Sequence, residues 1–497
     1  MKKLAYYSVA AVLIFSVMMA ISSYAWDEER GPWNHRICKN NSVPNPTVIG
    51  PIPVTVPLGD PSHNYPYLAT AIDLARQGYV EEEFFIEGLA HSYNTPSLAT
   101  GSIMEGDQPH PYKTRIVVRR PISPKHFNGT VILEWYNVTA QYDLEVDWFE
   151  SNEHFMRSGY AWVGVSAQRV GVNDLRNWSP NRYGTLDVTV GGTINNDSLC
   201  YDIYSQAAQA IWSSKEQERS NHHRKSPSRE HQDRLGIHLL GGLQAKLIIA
   251  TGHSQSAGRL VIYHNSIHPL HDVLDGFMIH GSDGALRGDL DVKVMKVLAE
   301  LDVRSSNPEV DTDHYRRWET AGTSHIGNKE QEDYTPLVIR DRGAVAPRTC
   351  TKPPFSMIPF HYVFNAAYDH LVRWVEGEYD HHVRWGEAEP PISPRLEWSS
   401  PTTKARDNYG NVLGGIRLSQ HEVATGVNTG DNAGPGFCFL FGSHEWFDDA
   451  TLHALYRNHW DYVSAVNHVT KDNLRAGFIL EKDAQETRVE AAHSSIP

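Results

Sequence analysis

IIATGHSQSAGRL, residues 248–260, changes from the composition of a strand to that of a helix within three residues. The preceding AKLIIAT is a short apolar run that ends at Gly252, and helical spacing takes over through Leu260 and Ile262. A chain that turns this sharply forces the intervening residue into a strained conformation. Its side chain is then exposed at the C-terminal edge of the sheet. Strand and helix approach closely there, so the residues two positions either side must be small. Ser254 has Gly252 and Ser256 as those neighbours, and Ser256 has Ser254 and Gly258, so size does not choose between them. Position does: Ser254 directly follows the strand, whereas Ser256 already lies in the helix. Ser254 is therefore the candidate nucleophile. The spacing departs from G-x-S-x-G, because Ser256 stands where the last glycine would be. The competing account is a serine-glycine cap on an ordinary strand-to-helix loop.

Downstream, strand ends arrive in the order such a nucleophile needs: serine, acid, histidine. After LDGFMIHGSDG comes DVKVMKVLAELDV, where alternating Val294, Lys296 and Leu298 predict a strand ending at Glu300 and Asp302. YRRWETAGTSH then supplies a short strand, a turn at Gly322 and His325. A serine hydroxyl is a poor nucleophile until an imidazole takes its proton, and a carboxylate must hold that imidazole's tautomer. His325 is the expected base and Asp302 its expected partner, with Glu300 a close rival and Asp311 and Asp313 behind it. The plainer fate of His325 is a loop histidine with one backbone hydrogen bond. His253 is excluded as base, since neighbouring side chains diverge on so tight a turn. Acyl transfer also needs donors for a developing oxyanion. One is the backbone N–H of Gln255. The other comes from the loop in VILEWYNVTAQYD, where Asn137, Val138 and Thr139 are candidates and Val138 is chosen. Trp135, Tyr136 and Trp148 are candidates to line an apolar pocket, with core packing the competing job. Asp143, Glu145 and Asp147 could disfavour anionic substrates there, although a solvated acidic loop would account for them too.

Around this centre, YVEEEFFIEG, YKTRIVVRRP, GTVILEWYNV and GYAWVGVSAQ read as strands. EVDWFESNEHFMRSG reads as a helix closed by Gly159, and CYDIYSQAAQAIW as another. Near-continuous apolar strands alternating with helices predict an α/β fold, a mostly parallel central sheet with helices on both faces. Residues 213–236 are polar and mixed in charge, an expected exposed insertion. Residues 386–440 are rich in proline and glycine and read as a lid or long surface connections. LHALYRNHWDYVSAVNHVTKDNLRAGF has helical periodicity. One domain over 26–497 is the expected count.

The chain opens MKKLAYYSVAAVLIFSVMMAISSYA, a basic start, an apolar run and a small-residue cleavage site. This predicts a signal peptide over 1–25 and export to the periplasm or exterior. An uncleaved anchor is the weaker reading, and no later stretch is apolar enough to span a bilayer. With 45 Lys and Arg against 59 Asp and Glu, the net charge of −14 makes nucleic acid an unlikely partner. Cys38, Cys200, Cys350 and Cys438 permit two disulfides, and Cys350 with Cys438 is the first expected pair. The 27 histidines, with His222-His223 and Asp380-His381-His382, raise metal binding as a second reading. No HExxH spacing supports it, and neither metal nor cofactor is expected.

Nearly the whole mature chain resembles, in matching order, a large and mostly uncharacterised group of bacterial secreted α/β-hydrolase-domain proteins carrying G-x-S-Q-S at the elbow. The matching pieces are EWYNVTAQYD, GYAWVGVSAQRVGV, NRYGTL, YDIYSQAAQAI, ATGHSQSAGRL, LAELDV, RRWETAGTSH, GNVLGGIRL and AGFILEKDA. The resemblance implies the α/β-hydrolase fold and a serine-hydrolase mechanism at Ser254. It makes His325 the matching histidine and Ser256 the second serine of the motif. It leaves the substrate open. The combined expectation is an exported esterase acting on a small-molecule or polymeric ester through an acyl-enzyme. A metal-dependent hydrolase and a non-catalytic binding protein on the same scaffold are the alternatives.

Overall fold

The computed structural model describes residues 43–222, 237–378 and 388–497. Nine strands build one sheet: β1 (Thr47–Ile49), β2 (Tyr79–Ala90), β3 (His110–Pro121), β4 (Thr130–Trp135), β5 (Ala161–Val165), β6 (Leu247–His253), β7 (Gly276–His280), β8 (Lys293–Leu298) and β9 (Tyr315–Glu319). Their spatial order is β1-β2-β3-β5-β4-β6-β7-β8-β9. From β5 to β9 every neighbouring pair is parallel, and β1, β2 and β3 add an antiparallel edge. Every residue of β4 through β8 is buried. That accounts for their largely apolar sequence, since both faces of the sheet are covered; the lysines of β8 are paired where they lie, Lys293 with Glu378 at 2.7 Å and Lys296 with Glu309 at 2.5 Å.

The longer helices are α1 (Val146–Ser158), α2 (Arg169–Trp178), α3 (Cys200–His222), α4 (Gln255–Ile262), α5 (Asn328–Arg342), α6 (Phe360–Gly377), α7 (His459–Ala476) and α8 (Glu481–His493). A strand residue sets the start of α1. The buried Glu134 carboxylate accepts the N–H groups of Asp147 and Trp148, both at 3.0 Å, and Trp162 Nε1 at 2.8 Å. It thereby satisfies donors that the first helical turn leaves unpaired. At the other end, Gly159 takes a φ of 77° and closes the helix. The C-terminal helical stretch is split, because Asn458 caps a new helix by accepting the Asp461 N–H at 3.0 Å.

Three expectations change. Trp135, Tyr136 and Trp148 do not line the cavity beside Ser254; all three are core residues, at most 2% exposed. Trp148 and Trp162 flank the Arg119 guanidinium at 4.5 and 4.6 Å, which draws them inward. Asp143, Glu145 and Asp147 do not face a substrate either. Glu145 pairs with Arg119 at 2.9 Å, Asp143 accepts from Ser166 at 2.5 Å, and Asp147 meets His280 and Tyr368, both at 3.1 Å. Buried arginines on β3 hold Asp143 and Glu145 away from solvent, and His280 and Tyr368 do so for Asp147. Part of the described stretch of 386–440 packs beside β9, joined to it by one parallel bridge between Thr320 and Ile416. Leu396 and Val412 pack with Leu298, Val303 and Ala321, and Leu396 N donates to Glu319 at 2.8 Å.

Of the 213–236 stretch, residues through His222 continue α3, and the remainder lies outside the described residues. So do residues 1–25, where a signal peptide is expected, Cys38, His223 and residues 380–382. Cys350 and Cys438 are bonded, and Cys200 is a buried free thiol. Among the described residues, no helix is long and apolar enough to cross a membrane.

Candidate active site

Between β6 and α4, Ser254 has φ 57° and ψ −110°, a conformation that L-residues rarely adopt. Its N–H donates to His280 O on β7 at 2.8 Å, and its carbonyl accepts from Gly258 N at 2.9 Å. The steric demand of the turn falls on one side only. A Cβ at Gly252 would lie 3.0 Å from Ser256 Oγ and 3.2 Å from the Ser256 backbone, whereas one at Gly258 would meet nothing within 4 Å. Ser256 is buried, and its hydroxyl both donates to His253 O and accepts from His253 N, each at 3.0 Å. The second serine of the motif is thus a brace across the turn, which glycine could not supply.

His325 reaches the site after β9 by way of the Gly322 turn, where φ is 72°. Its Nδ1 lies 2.5 Å from Asp302 Oδ1, and Asp302 Oδ2 accepts Ala299 N at 3.0 Å. With Nδ1 donating to the carboxylate, Nε2 is the nitrogen left to receive a proton. Burial alone would push the Asp302 pKa up. The His325 charge, its hydrogen bond and the Ala299 N–H outweigh burial and hold it below the usual carboxylate range. The rival acids serve elsewhere. Glu300 binds Arg406 at 2.5 Å and accepts Gly430 N at 3.2 Å. Asp311 holds Arg395 at 2.6 Å and the Arg317 N–H at 2.8 Å, while Asp313 is exposed.

His253 turns away from Ser254 and supports the base instead. Its Nε2 donates to His325 O at 3.1 Å, and the two rings pack with centroids 4.4 Å apart. The opposite side of His253 packs on His280 at 4.2 Å, and His280 Nδ1 lies 3.1 Å from Asp147. Burial, then the neighbouring His280 and His325, drive the His253 pKa well down, so the middle ring is neutral. Gly281 closes this layer: a Cβ there would lie 3.1 Å from His325, 3.2 Å from His253 and 3.3 Å from Asp302. Sequence reasoning missed His280 and Gly281. The only available signal was the HGS tripeptide at the end of a strand.

The three candidate oxyanion donors separate by their partners. Asn137 N donates to Leu144 O at 3.0 Å, and Thr139 N to Asn137 Oδ1 at 2.8 Å. Val138 N faces only the Gln255 side-chain oxygen, at 3.5 Å. The Gln255 amide is held by Gln168, whose Oε1 accepts Gln255 Nε2 and Trp135 Nε1, both at 3.0 Å. Asn137 Nδ2 donates to His253 O at 2.8 Å and ties the loop to the elbow. The Gln255 N–H itself opens α4, so no carbonyl of that helix is available to accept it.

Ser254 and His325 open on one cavity of about 320 Å³, walled largely by apolar side chains such as Leu144, Val146, Val338 and Leu440. Glu330 and Arg348 are polar exceptions on that wall. The turn Cys438–Leu440, with Phe437 and Phe441 beside it, is the part of 386–440 that comes near the cavity. Asp291, His314 and Glu378 have donor atoms within 4.8 Å of one another, close enough to share a cation. The Lys293 ammonium already occupies that role, 2.7 Å from Glu378 and 3.2 Å from His314 Nδ1.

Residues 50–489 match the family described as Alpha/beta hydrolase domain. No curated protein matches. Among solved structures, the chain is similar to a candidate acetyl xylan esterase from Bacteroides fragilis, at 10% identity and a TM-score of 0.23 over 45% of this chain and 60% of that one. It is also similar to a candidate dienelactone hydrolase from Klebsiella pneumoniae subsp. pneumoniae, at 13% identity and a TM-score of 0.19 over 45% and 75%. A third is a carbohydrate esterase family 15 glucuronoyl esterase from Caldicellulosiruptor kristjansonii, at 14% identity and a TM-score of 0.18 over 39% and 44%. The chain therefore spans 60% of the first of these structures and less than half of the third.

Proposed function

The chain belongs to the alpha/beta hydrolase domain family, and on that premise we propose that it is an exported serine hydrolase cleaving carboxylic esters through an acyl-enzyme. Ser254 Oγ attacks the ester carbonyl while His325 Nε2 takes its proton. Asp302 fixes the imidazole's tautomer and stabilises its positive charge. The oxygen that becomes negative is received by the N–H groups of Gln255 and Val138. Collapse of the tetrahedral intermediate expels the alcohol, which leaves with the proton from His325. Water then attacks the acyl-enzyme with His325 again as base, releasing the acid and restoring Ser254.

One observation carries this reading. A serine strained to φ 57° shares a cavity with a histidine whose other nitrogen is held 2.5 Å from a buried carboxylate. Export is supported by the Cys350–Cys438 bond, since such bonds persist in oxidising compartments, and by the character of residues 1–25. Labelling with a fluorophosphonate probe and turnover of p-nitrophenyl acetate test the reading together. Ser254→Ala is expected to abolish labelling and lower kcat by on the order of 10⁶-fold. Labelling that survives the substitution would remove Ser254 as nucleophile.

A further inference from the structure

Two polar groups on the cavity wall have bonding capacity that the protein does not use. Arg342, also on the wall, is committed: it bonds Asp174 at 2.8 and 3.3 Å and Tyr67 Oη at 3.0 Å. Arg348 differs. Its Nη2 donates to Gln331 Oε1 and, at 3.0 Å, to Thr335 Oγ1, and its guanidinium lies 5.1 Å from the Phe355 ring. These contacts orient it without neutralising it. Among the described residues Arg348 forms no salt bridge, and the carboxyl that acts on its charge is Glu330 on the same wall.

Glu330, in the first turn of α5, is 4% exposed, and its Oε2 has no hydrogen-bond partner. Burial, followed by the charges of Glu150 and Asp147, drives its pKa well above the carboxylate range. It is therefore a neutral acid whose hydroxyl can donate. A guanidinium and a neutral carboxyl on one wall are both donors, and an ionised carboxylate, with two acceptor oxygens and a charge opposite to the guanidinium's, fits that pair better than a neutral acceptor.

We infer that the cavity selects esters bearing a second, ionised carboxylate, which Arg348 and Glu330 bind while Ser254 attacks the ester carbonyl. The inference rests on the serine-hydrolase reading of the site. The overall charge of −14 gives no general attraction for anions, so the preference is local to this wall. The disulfide serves it too: Cys350, two residues beyond Arg348, is bonded to Cys438 and fixes the loop that carries the guanidinium.

The carboxylate can sit on the acyl or the alcohol side of the ester, and two substrate pairs separate these. Monomethyl glutarate carries it on the acyl side and acetoxyacetate on the alcohol side, each compared with its carboxamide analogue. Acid release by the full-length secreted protein is followed in a pH-stat. In at least one pair, the expected kcat/KM for the carboxylate is tenfold or more above that of the amide. That ratio falls at least tenfold in Arg348→Met, recovers in part in Arg348→Lys, and stays within threefold in Glu330→Gln. A wild-type ratio below two in both pairs overturns the inference without any variant. A ratio unmoved by Arg348→Met, or raised tenfold by Glu330→Gln, overturns it as well. The underlying reading fails separately: Ser254→Ala would then hydrolyse the amide-bearing esters at the wild-type rate.

Discussion

A methyl group at Gly281 would press on three members of the candidate site together, His325, His253 and Asp302, each within 3.3 Å of the added carbon. The backbone there has φ 67°, and the Gly281 N–H is held by Val297 O at 3.0 Å, so the chain has little room to yield. Displacing a catalytic base by about 1 Å costs on the order of 10²-fold in rate. Gly281→Ala should therefore lower kcat about 100-fold while KM for p-nitrophenyl acetate changes less than threefold. Steady-state kinetics check this, and an unchanged kcat would show that the glycine does not support the histidine. At this scale the sequence is legible where residue type carries the chemistry. Serine, aspartate and histidine at successive strand ends can be read in order. Choosing Asp302 over Glu300 is harder, because what removes Glu300 is Arg406, more than a hundred residues away. The oxyanion donors are harder still, since a backbone N–H looks the same in every residue. Val138 is proposed on the strength of the partners that Asn137 N and Thr139 N already have.

Two loops depend on one covalent link. The segment after α5 carries Arg348 and Cys350, and the turn at Cys438–Leu440 supplies Leu440 beside Phe437 and Phe441; both segments border the cavity. The cysteines are 88 residues apart, so chain-entropy arguments give the bond about 4 kcal/mol of stability. For a chain of this length, that corresponds to about 4 °C in Tm. The double variant Cys350→Ser, Cys438→Ser should lose about that much, and KM should rise at least fivefold because both walls loosen. A calorimetric scan with parallel kinetics checks both effects. A lower Tm with an unchanged KM would confine the bond to a structural role. The central elements are legible because burial on both faces leaves one continuous apolar signal, as in LIIATGH. The 386–440 region is not, since proline and glycine report irregular backbone but not where it packs. Trp135 and Trp148 mislead for a related reason. An aromatic residue beside a candidate site reads the same whether it lines a pocket or flanks a buried arginine such as Arg119.

Over the whole molecule, stability depends on pH through the difference in protons bound by the folded and unfolded chains. Two buried sets oppose each other. Burial lowers His154 to about 3 and His264, His271 and His421 to about 4, and holds His253 well down. Unfolded, these titrate near 6.5. Their contribution is complete above that pH and is lost as the pH falls toward the folded values. Burial raises Asp143 and Asp202 to about 6, Glu145 to about 7 and Glu150 to about 8, with Glu330 well above its ordinary value. Their contribution is complete below the unfolded carboxylate pKa near 4 and is lost as the pH rises through the folded values. Between roughly pH 5 and 6 the two sets, to which His361 and Glu134 add one member each, pull in opposite directions, and stability is nearly level. Above about pH 7 the histidines no longer differ between the two states, and only the acids count. Below pH 5 the acids begin to protonate in the unfolded chain too, leaving the histidines and, lower still, depressed carboxylates such as Asp302. Stability should therefore peak between about pH 5 and 6 and fall by on the order of 3 kcal/mol by pH 8. Thermal melts of Ser254→Ala at constant ionic strength test the sign without interference from turnover. A Tm higher at pH 8 than at pH 5.5 would mean that the buried acids are ionised in the folded protein, and Glu330 could not then donate a hydrogen bond to a bound carboxylate.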